Sequence, residues 1–239
     1  MTEIIWHQLP KDLSHLICRY VETDRLKPWV KEIGSISWYW LSMNSSAMDL
    51  LKANPVQINW ECLSLNPSAI ELLKANPNKI NWTCLSANPS AMDLLMTNPD
   101  KINWVWLSLN SSAMDLLMAN PDKINWDCLS ANPSAINLLM ANPNKINWRM
   151  LSRNPSAIEL LKANPDKIDW YELSKNTSAM DLLKANPNKI NWYWIPSNPS
   201  LIELLKENPT KMYKENIWAN PTIFEPKIEY HGLLMQVRF

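Results

Sequence analysis

The sequence predicts an all-α solenoid of eight 22-residue units, each two short helices, with a cap at either end. Three observations carry that prediction. Trp38, Trp60, Trp82, Trp104, Trp126, Trp148, Trp170 and Trp192 follow one another at intervals of 22 residues without an insertion. Each interval holds two sites where a helix can start and two where it must stop. Glycine is almost absent, 2 residues against 18 prolines, so the connections are stiff. A unit this short cannot close its own core, and its apolar side chains must be buried by neighbouring units.

Residues 1–37 do not share the pattern and read as an N-terminal helical cap. Pro10 can open a helix, and Leu13, Leu16, Ile17, Tyr20 and Val21 recur at helical spacing behind it. A second short helix over 28–33 is stopped by Gly34.

The array proper covers 38–213. With each Trp as position one, the residue before it is Asn, Asp or Ser, the preferred N-caps, so a first helix starts there. Trp60, Leu63 and Ser64 share one face of that helix. Position nine is Ser in all eight units and position twelve is Asp, Glu or Asn, a pattern that predicts a capping box for a second helix, as over 69–75. The Leu-Leu pair of that helix, with the Ile or Met before it, faces inward. The acid and position fifteen (Lys74, Met96, Lys162) face outward. An Asn-Pro such as Asn76-Pro77 ends it, the Asn taking a left-handed cap conformation. Asn at positions seven and seventeen in every unit predicts a ladder of side-chain amides bonded to backbone at helix ends or one unit away. At about 10 Å per unit the array is expected to form a rod about 80 Å long.

Residues 214–239 read as a partial repeat and C-terminal cap. Lys214 replaces a ninth Trp, yet Ile217, Asn220, Pro221, Thr222, Ile223 and Glu225 keep their repeat roles. The remainder is expected to fold over the last unit, with 228–231 extended.

Zero net charge argues against a general polyanion binder. No apolar run is long enough for a membrane span, and the start lacks the features of a signal peptide. Cys62, Cys84 and Cys128 share position three. Stacked units about 8–10 Å apart exceed the about 7 Å limit of a disulfide, so Cys62 and Cys84 are expected as free thiols in a reducing, intracellular setting. His7, His15 and His231 all lie outside the array, and His15 with Cys18 makes only half a metal site. No nucleophile–base arrangement and no glycine-rich phosphate loop is present, and repeated identical carboxylates are unlike a convergent active site. The expectation is a non-enzyme without cofactor or metal.

The variable positions carry the functional reading. Positions two, three and six of the first helix diverge from the Trp–Leu face and form an aromatic-rich stripe: Tyr39, Trp40, Val105, Trp106, Arg149, Arg153, Tyr171, Tyr193 and Trp194. A constant scaffold with one varied stripe is how a solenoid presents a binding surface, and Trp, Tyr and Arg dominate interface energetics. The alternative is that Trp40, Trp106 and Trp194 are additional core. A row of Lys at position twenty, Lys79 to Lys211, reads either as a track for phosphates or as a solvated edge, and the zero net charge favours the edge.

The repeated phrase N-P-x-A-I-x-L-L-x-x-N-P-x-K-I-N-W-x-x-L-S resembles Asn-rich tandem repeats encoded by large double-stranded DNA viruses, over 38–225. That resemblance implies a viral origin and no assigned chemistry. Leu9-Pro10, Leu13, Ile17 and Tyr20-Val21 are faintly similar to the start of an F-box, which would imply recruitment to a ubiquitin ligase. The expected function is protein–protein binding along the stripe, with a viral or host partner. Nucleic-acid binding along the Lys row, or self-association as a component of a virion or viral factory, are the alternatives.

Overall fold

The computed structural model describes residues 36–211 and 213–224. The N-terminal cap helices, the His15–Cys18 pair, the F-box-like start and the extended stretch at 228–231 lie outside the described residues. Within them the protein is an all-α solenoid of repeated short helices, without strands.

Unit 2 shows the plan. A first helix, Trp60–Leu65, is followed by a 3₁₀ turn at Pro67–Ala69, a second helix, Ile70–Lys74, and another 3₁₀ turn at Pro77–Lys79. Proline sits at the first position of each 3₁₀ turn, where its fixed φ fits and its missing N–H is not needed. In units 1, 4 and 7 position eight is Ser45, Ser111 or Thr177, and only a plain turn forms there.

The first helix starts as its sequence implies. Asn59 Oδ1 accepts from the Cys62 N–H at 2.9 Å, and Asn81, Asn103, Asn125, Asn147 and Asp169 repeat that cap. Ser64 Oγ donates to the Trp60 carbonyl at 2.8 Å and accepts the Asn81 N–H of the next unit at 3.0 Å, joining two first helices through one hydroxyl.

The second helix does not use the expected capping box. The asparagine at position seven takes that place: Asn66 Oδ1 accepts the Ser68 N–H at 3.0 Å, so Ser68 lies inside the 3₁₀ turn. The helix then starts at Ile70 behind Ala69, which has no side chain able to cap. Glu71 still complements the first turn and pairs with Lys74 at 2.9 Å across the exposed face. The helix end also differs from expectation. Asn76 has φ −134° and ψ 60°, not a left-handed conformation, and its Nδ2 donates back to the Leu72 carbonyl at 2.9 Å.

The interior is a repeated set of small and branched side chains. Leu63, Ala69 and Leu73 and their equivalents in the neighbouring units are wholly buried, and Leu72, Ile70 and Trp60 pack partly buried around them. Beside this apolar core runs the position-seven ladder. Asn66 is fully buried, and its Nδ2 donates to the Ser42 and Asn44 carbonyls of the preceding unit, both at 3.0 Å. From Asn66 to Asn198 each amide thus bonds two carbonyls of the preceding unit and one N–H of its own, while Asn220 Nδ2 reaches one carbonyl, that of Pro196 at 2.8 Å.

The ladder has no free first rung. Asn44 Nδ2 donates to the carbonyls of Trp218 and Asn220, both at 3.0 Å, in the same arrangement that Asn66 makes with unit 1. The 3₁₀ segments Asn216–Ala219 and Pro221–Ile223 therefore occupy the place of a ninth unit, between units 8 and 1. The solenoid closes on itself as a ring, and the rod expected from stacking units along a line is not formed. Leu41 in unit 1 and Ile217 in unit 9 are as completely buried as Leu107 in unit 4, because every unit has two neighbours.

Neighbouring first helices approach more closely than neighbouring second helices, so the first helices form the inner circle. Nine helices about 8–10 Å apart trace a circle roughly 23–29 Å across between axes. Subtracting one helix diameter of about 10–12 Å leaves a lumen roughly 10–20 Å wide.

Replacing a rung with alanine should leave one buried carbonyl and one buried N–H unpaired and take from a second carbonyl one of its two partners, as Ser108, Ser134 and Asn110 show around Asn132. Asn132→Ala is expected to lose about 2–4 kcal/mol in denaturant unfolding, whereas Asn120→Ala, which removes one local bond, loses about 1 kcal/mol. Ring closure makes a sharper claim: Asn44→Ala should cost as much as Asn132→Ala. An Asn44→Ala cost near zero would mean that unit 1 is an open end.

Candidate interaction surface on the inner circle

On the first helix, position four faces the core, so position two lies on the opposite side. Position three points along the circle toward the next unit. Tyr39, Val105, Tyr171 and Tyr193 at position two are accordingly exposed, by 39–51%. Position three is graded. Cys62 and Cys84 are buried, and Trp40, Trp106 and Trp194 are half-buried, so these tryptophans are neither free surface nor closed core.

Ring closure joins the two ends of the stripe. Trp40 of unit 1 and Trp194 of unit 8 meet edge to face with ring centres 6.1 Å apart, although a whole unit lies between them. Such an approach is possible only on the concave side. Tyr171 and Tyr193 pack edge-on against Trp194 at 6.0 and 4.9 Å, Tyr39 against Trp40 at 5.2 Å, and Tyr213 against Tyr193 at 5.4 Å. Five of the nine stripe residues thus form one aromatic nest at the seam. Val105 and Trp106 belong to unit 4 and are not part of it.

A basic group adjoins the nest. Lys175 places its Nζ 4.5 Å from the Tyr171 ring centre and 4.4 Å from that of Trp194, while bonding Glu172 at 2.8 Å. Arg149 lies 3.7 Å from the buried Glu172 and 3.9 Å from Asp169. Arg153, at the end of the same helical segment, is exposed. Glu172 and Lys175 occupy stripe positions three and six, but their pairing, and the part played by Tyr213, are seen only in the structure. The available signal was Glu172 itself, an acid in a register row otherwise filled by Trp, Cys, Met and Asn. A buried carboxylate requires a cation nearby.

The seam departs from the repeat in other ways. Pro196 replaces the position-five serine of unit 8 and Trp218 that of unit 9, so the hydroxyl bridge between neighbouring first helices is missing on both sides of unit 9. Pro196 also shortens the first helix of unit 8 to the 3₁₀ turn Ile195–Ser197. Asn216 Nδ2 compensates in part by donating to the Tyr193 carbonyl at 2.6 Å. Two buried polar atoms here, Trp194 Nε1 and Asn216 Oδ1, have no hydrogen-bond partner among the described residues.

Four of the seven lysines in the Lys row lie over tryptophan rings. Lys123, Lys145, Lys167 and Lys211 hold their ammonium groups 4.4, 5.8, 4.3 and 4.5 Å from the ring centres of Trp104, Trp126, Trp148 and Trp192. On the outer helices Met96, Met118 and Met140 form a second exposed apolar row, where units 1, 2, 6, 7 and 8 carry Lys.

Cys62, Cys84 and Cys128 are free thiols. Burial pushes the Cys62 thiol up to about 11, opposed by its hydrogen bond with Tyr39. Tyr39 is itself raised, mainly by the proximity of Cys62 and then by burial. No helix among the described residues is long and apolar enough to cross a membrane, and no group of side chains there has the makings of a metal site. No protein-family model, curated protein or solved structure matches the chain.

Alkylation at about pH 8 should spare Cys62 and Cys84 in the folded ring and label both once it unfolds. A thiol raised on folding favours the folded state while it stays protonated. That contribution should be complete below the ordinary value near 9 and lost as pH rises toward about 11. Glu172→Ala should strand Lys175 and lower stability by about 2–4 kcal/mol, read as a fall in the unfolding midpoint.

Proposed function

We propose that the protein is a non-enzymatic ring scaffold that binds another protein through the aromatic arc of its inner circle. The observation that carries this reading is the exposure of Tyr39, Tyr171 and Tyr193 beside Trp40 and Trp194, gathered in one aromatic nest. Large aromatic side chains held rigid by neighbours, with little rotamer freedom left to lose, suit the centre of an interface. The partner is viral or host, in keeping with the resemblance of the repeats. Free buried thiols suit a reducing compartment.

Binding nucleic acid along the Lys row is less well supported, because four of those ammonium groups already lie over tryptophan rings. Self-association would most simply use the methionine row outside the ring.

Affinity capture from cell lysate distinguishes these readings. A Tyr39→Ser, Tyr171→Ser, Tyr193→Ser variant with unchanged helicity is expected to lose a discrete protein that the unaltered ring retains. Equal capture by both forms places binding elsewhere. Salt-labile nucleic acid on both forms supports the Lys row instead.

A further inference from the structure

At the seam, tyrosines alternate with carboxylates. Position two reads Tyr171, Tyr193, Glu215, Tyr39 and Glu61 in units 7, 8, 9, 1 and 2, which follow one another round the closed ring. All five residues are exposed. From unit 8 through unit 9 to unit 2, positions two, three and six hold Glu215 and Glu61 and no cation. Neither carboxylate has an ion pair among the described residues. Lys214 stands at position one, where the other units carry the tryptophan that packs against the core, and so lies off this row.

One unit away the same set of groups already holds a cation from within the chain. Lys175, at position six of unit 7, keeps its ammonium against the rings of Tyr171 and Trp194 and bonds the carboxylate of Glu172. Contacts nearby show which way position two leans. Arg149 meets Glu172 at position three of the next unit, and Tyr171 meets Trp194 in the same way. In that register Glu215 stands against Trp40, with Tyr193 in the unit before and Tyr39 in the unit after. These units converge on the concave side, as the 6.1 Å between Trp40 and Trp194 shows. Position six is Ser197, Ala219 and Met43 in units 8, 9 and 1, so none of them does here what Lys175 does in unit 7.

We propose that the seam seats one cationic side chain of the partner protein, a lysine or an arginine, against the rings of Tyr193, Tyr39 and Trp40 with its charge on Glu215. Glu61, beyond Tyr39, keeps that side of the seat negative. Aromatic faces attract an ammonium or guanidinium, and a carboxylate beside them gives the charge a hydrogen-bonding partner. The same carboxylates repel a phosphate or an acidic side chain. This inference rests on the reading of the ring as a protein-binding scaffold and names the group of the partner that the nest recognises.

The test is selection from a displayed random peptide library with the full chain as bait. Enriched sequences are expected to share a lysine or arginine beside apolar residues. Replacing that residue with norleucine should weaken binding about tenfold, the equivalent of about 1.4 kcal/mol. Glu215→Gln, a change at an exposed position, should weaken the parent peptide about as much and leave the norleucine peptide unaffected, because both changes remove one contact. Ser197→Lys supplies a cation at position six of unit 8, as Lys175 does in unit 7, and should abolish the selection of basic peptides. Helicity and unfolding midpoint check that both variants keep the fold.

No enrichment, or enriched peptides without a basic residue, overturns the proposal. So does a Glu215→Gln variant that binds the selected peptides as tightly as the unaltered chain, and so does undiminished selection by a folded Ser197→Lys variant. If the triple tyrosine variant loses its protein in lysate capture while Glu215→Gln retains it, the scaffold reading survives and only this inference fails.

Discussion

Every turn of this ring depends on one buried amide. In every unit but the ninth, the position-seven asparagine sends both hydrogens of its Nδ2 to carbonyls of the preceding unit and receives an N–H of its own unit on Oδ1, as in Asn132 with Ser108, Asn110 and Ser134. Helices of five or six residues leave most of their end groups without intrahelical partners, and alone they would not persist in water. The amide removes that difficulty at the points where two units touch. It does so in the buried interior, where an unmade bond is expensive and a made one is correspondingly directional. No residue but asparagine has the reach and the paired donor and acceptor to do this. Aspartate lacks the donors, and glutamine adds a methylene to a fully packed site.

Closure is a matter of curvature, and curvature arises from unequal layers. First helices pack against each other along the inner circle, bridged by the position-five serines, while the second helices stand further apart outside. Nine such steps complete a turn. The unit that completes it is the most altered one, with Lys214 for Trp, Trp218 for Ser and a 3₁₀ segment for the first helix. Its neighbours answer with aromatic bulk, as Trp40 and Trp194 reach over Asn216 toward each other. The two unpartnered polar atoms of the nest mark the remaining misfit. The groups singled out as a binding surface and those that close the ring are thus partly the same.

Much of this architecture is legible in the sequence. The period, the all-α class, the caps of the first helices, the asparagine rungs and the free thiols at 62 and 84 all follow from residue chemistry at fixed spacing. The capping box misled because Ser and an acid three residues apart is a local signal, and Asn66 two residues before Ser68 competes for the same N–H and wins it. Asn76 misled because an asparagine before proline can be satisfied by bonding back to position i−4 without a left-handed backbone. The ring could not be read because no residue encodes it. It is the sum of small rotations, and only the bonds of Asn44 to Trp218 and Asn220 reveal it. For the site, the stripe was visible as a list, but its gathering into a nest and the role of Lys175 beside Glu172 depend on which units become neighbours.

A chain of units held together only by its neighbours usually melts from its ends, since an end unit unfolds at the cost of a single interface. Here there is no such unit. Opening any one of the nine breaks two interfaces at once, and the first loss is the hardest. After it, the remaining eight become an ordinary open array with two vulnerable ends. Such a loop of units holds together as a whole up to the point where one gives way, then comes apart progressively from the break. Units 1 and 9, which an open array would leave with one neighbour each, are here neighbours of one another.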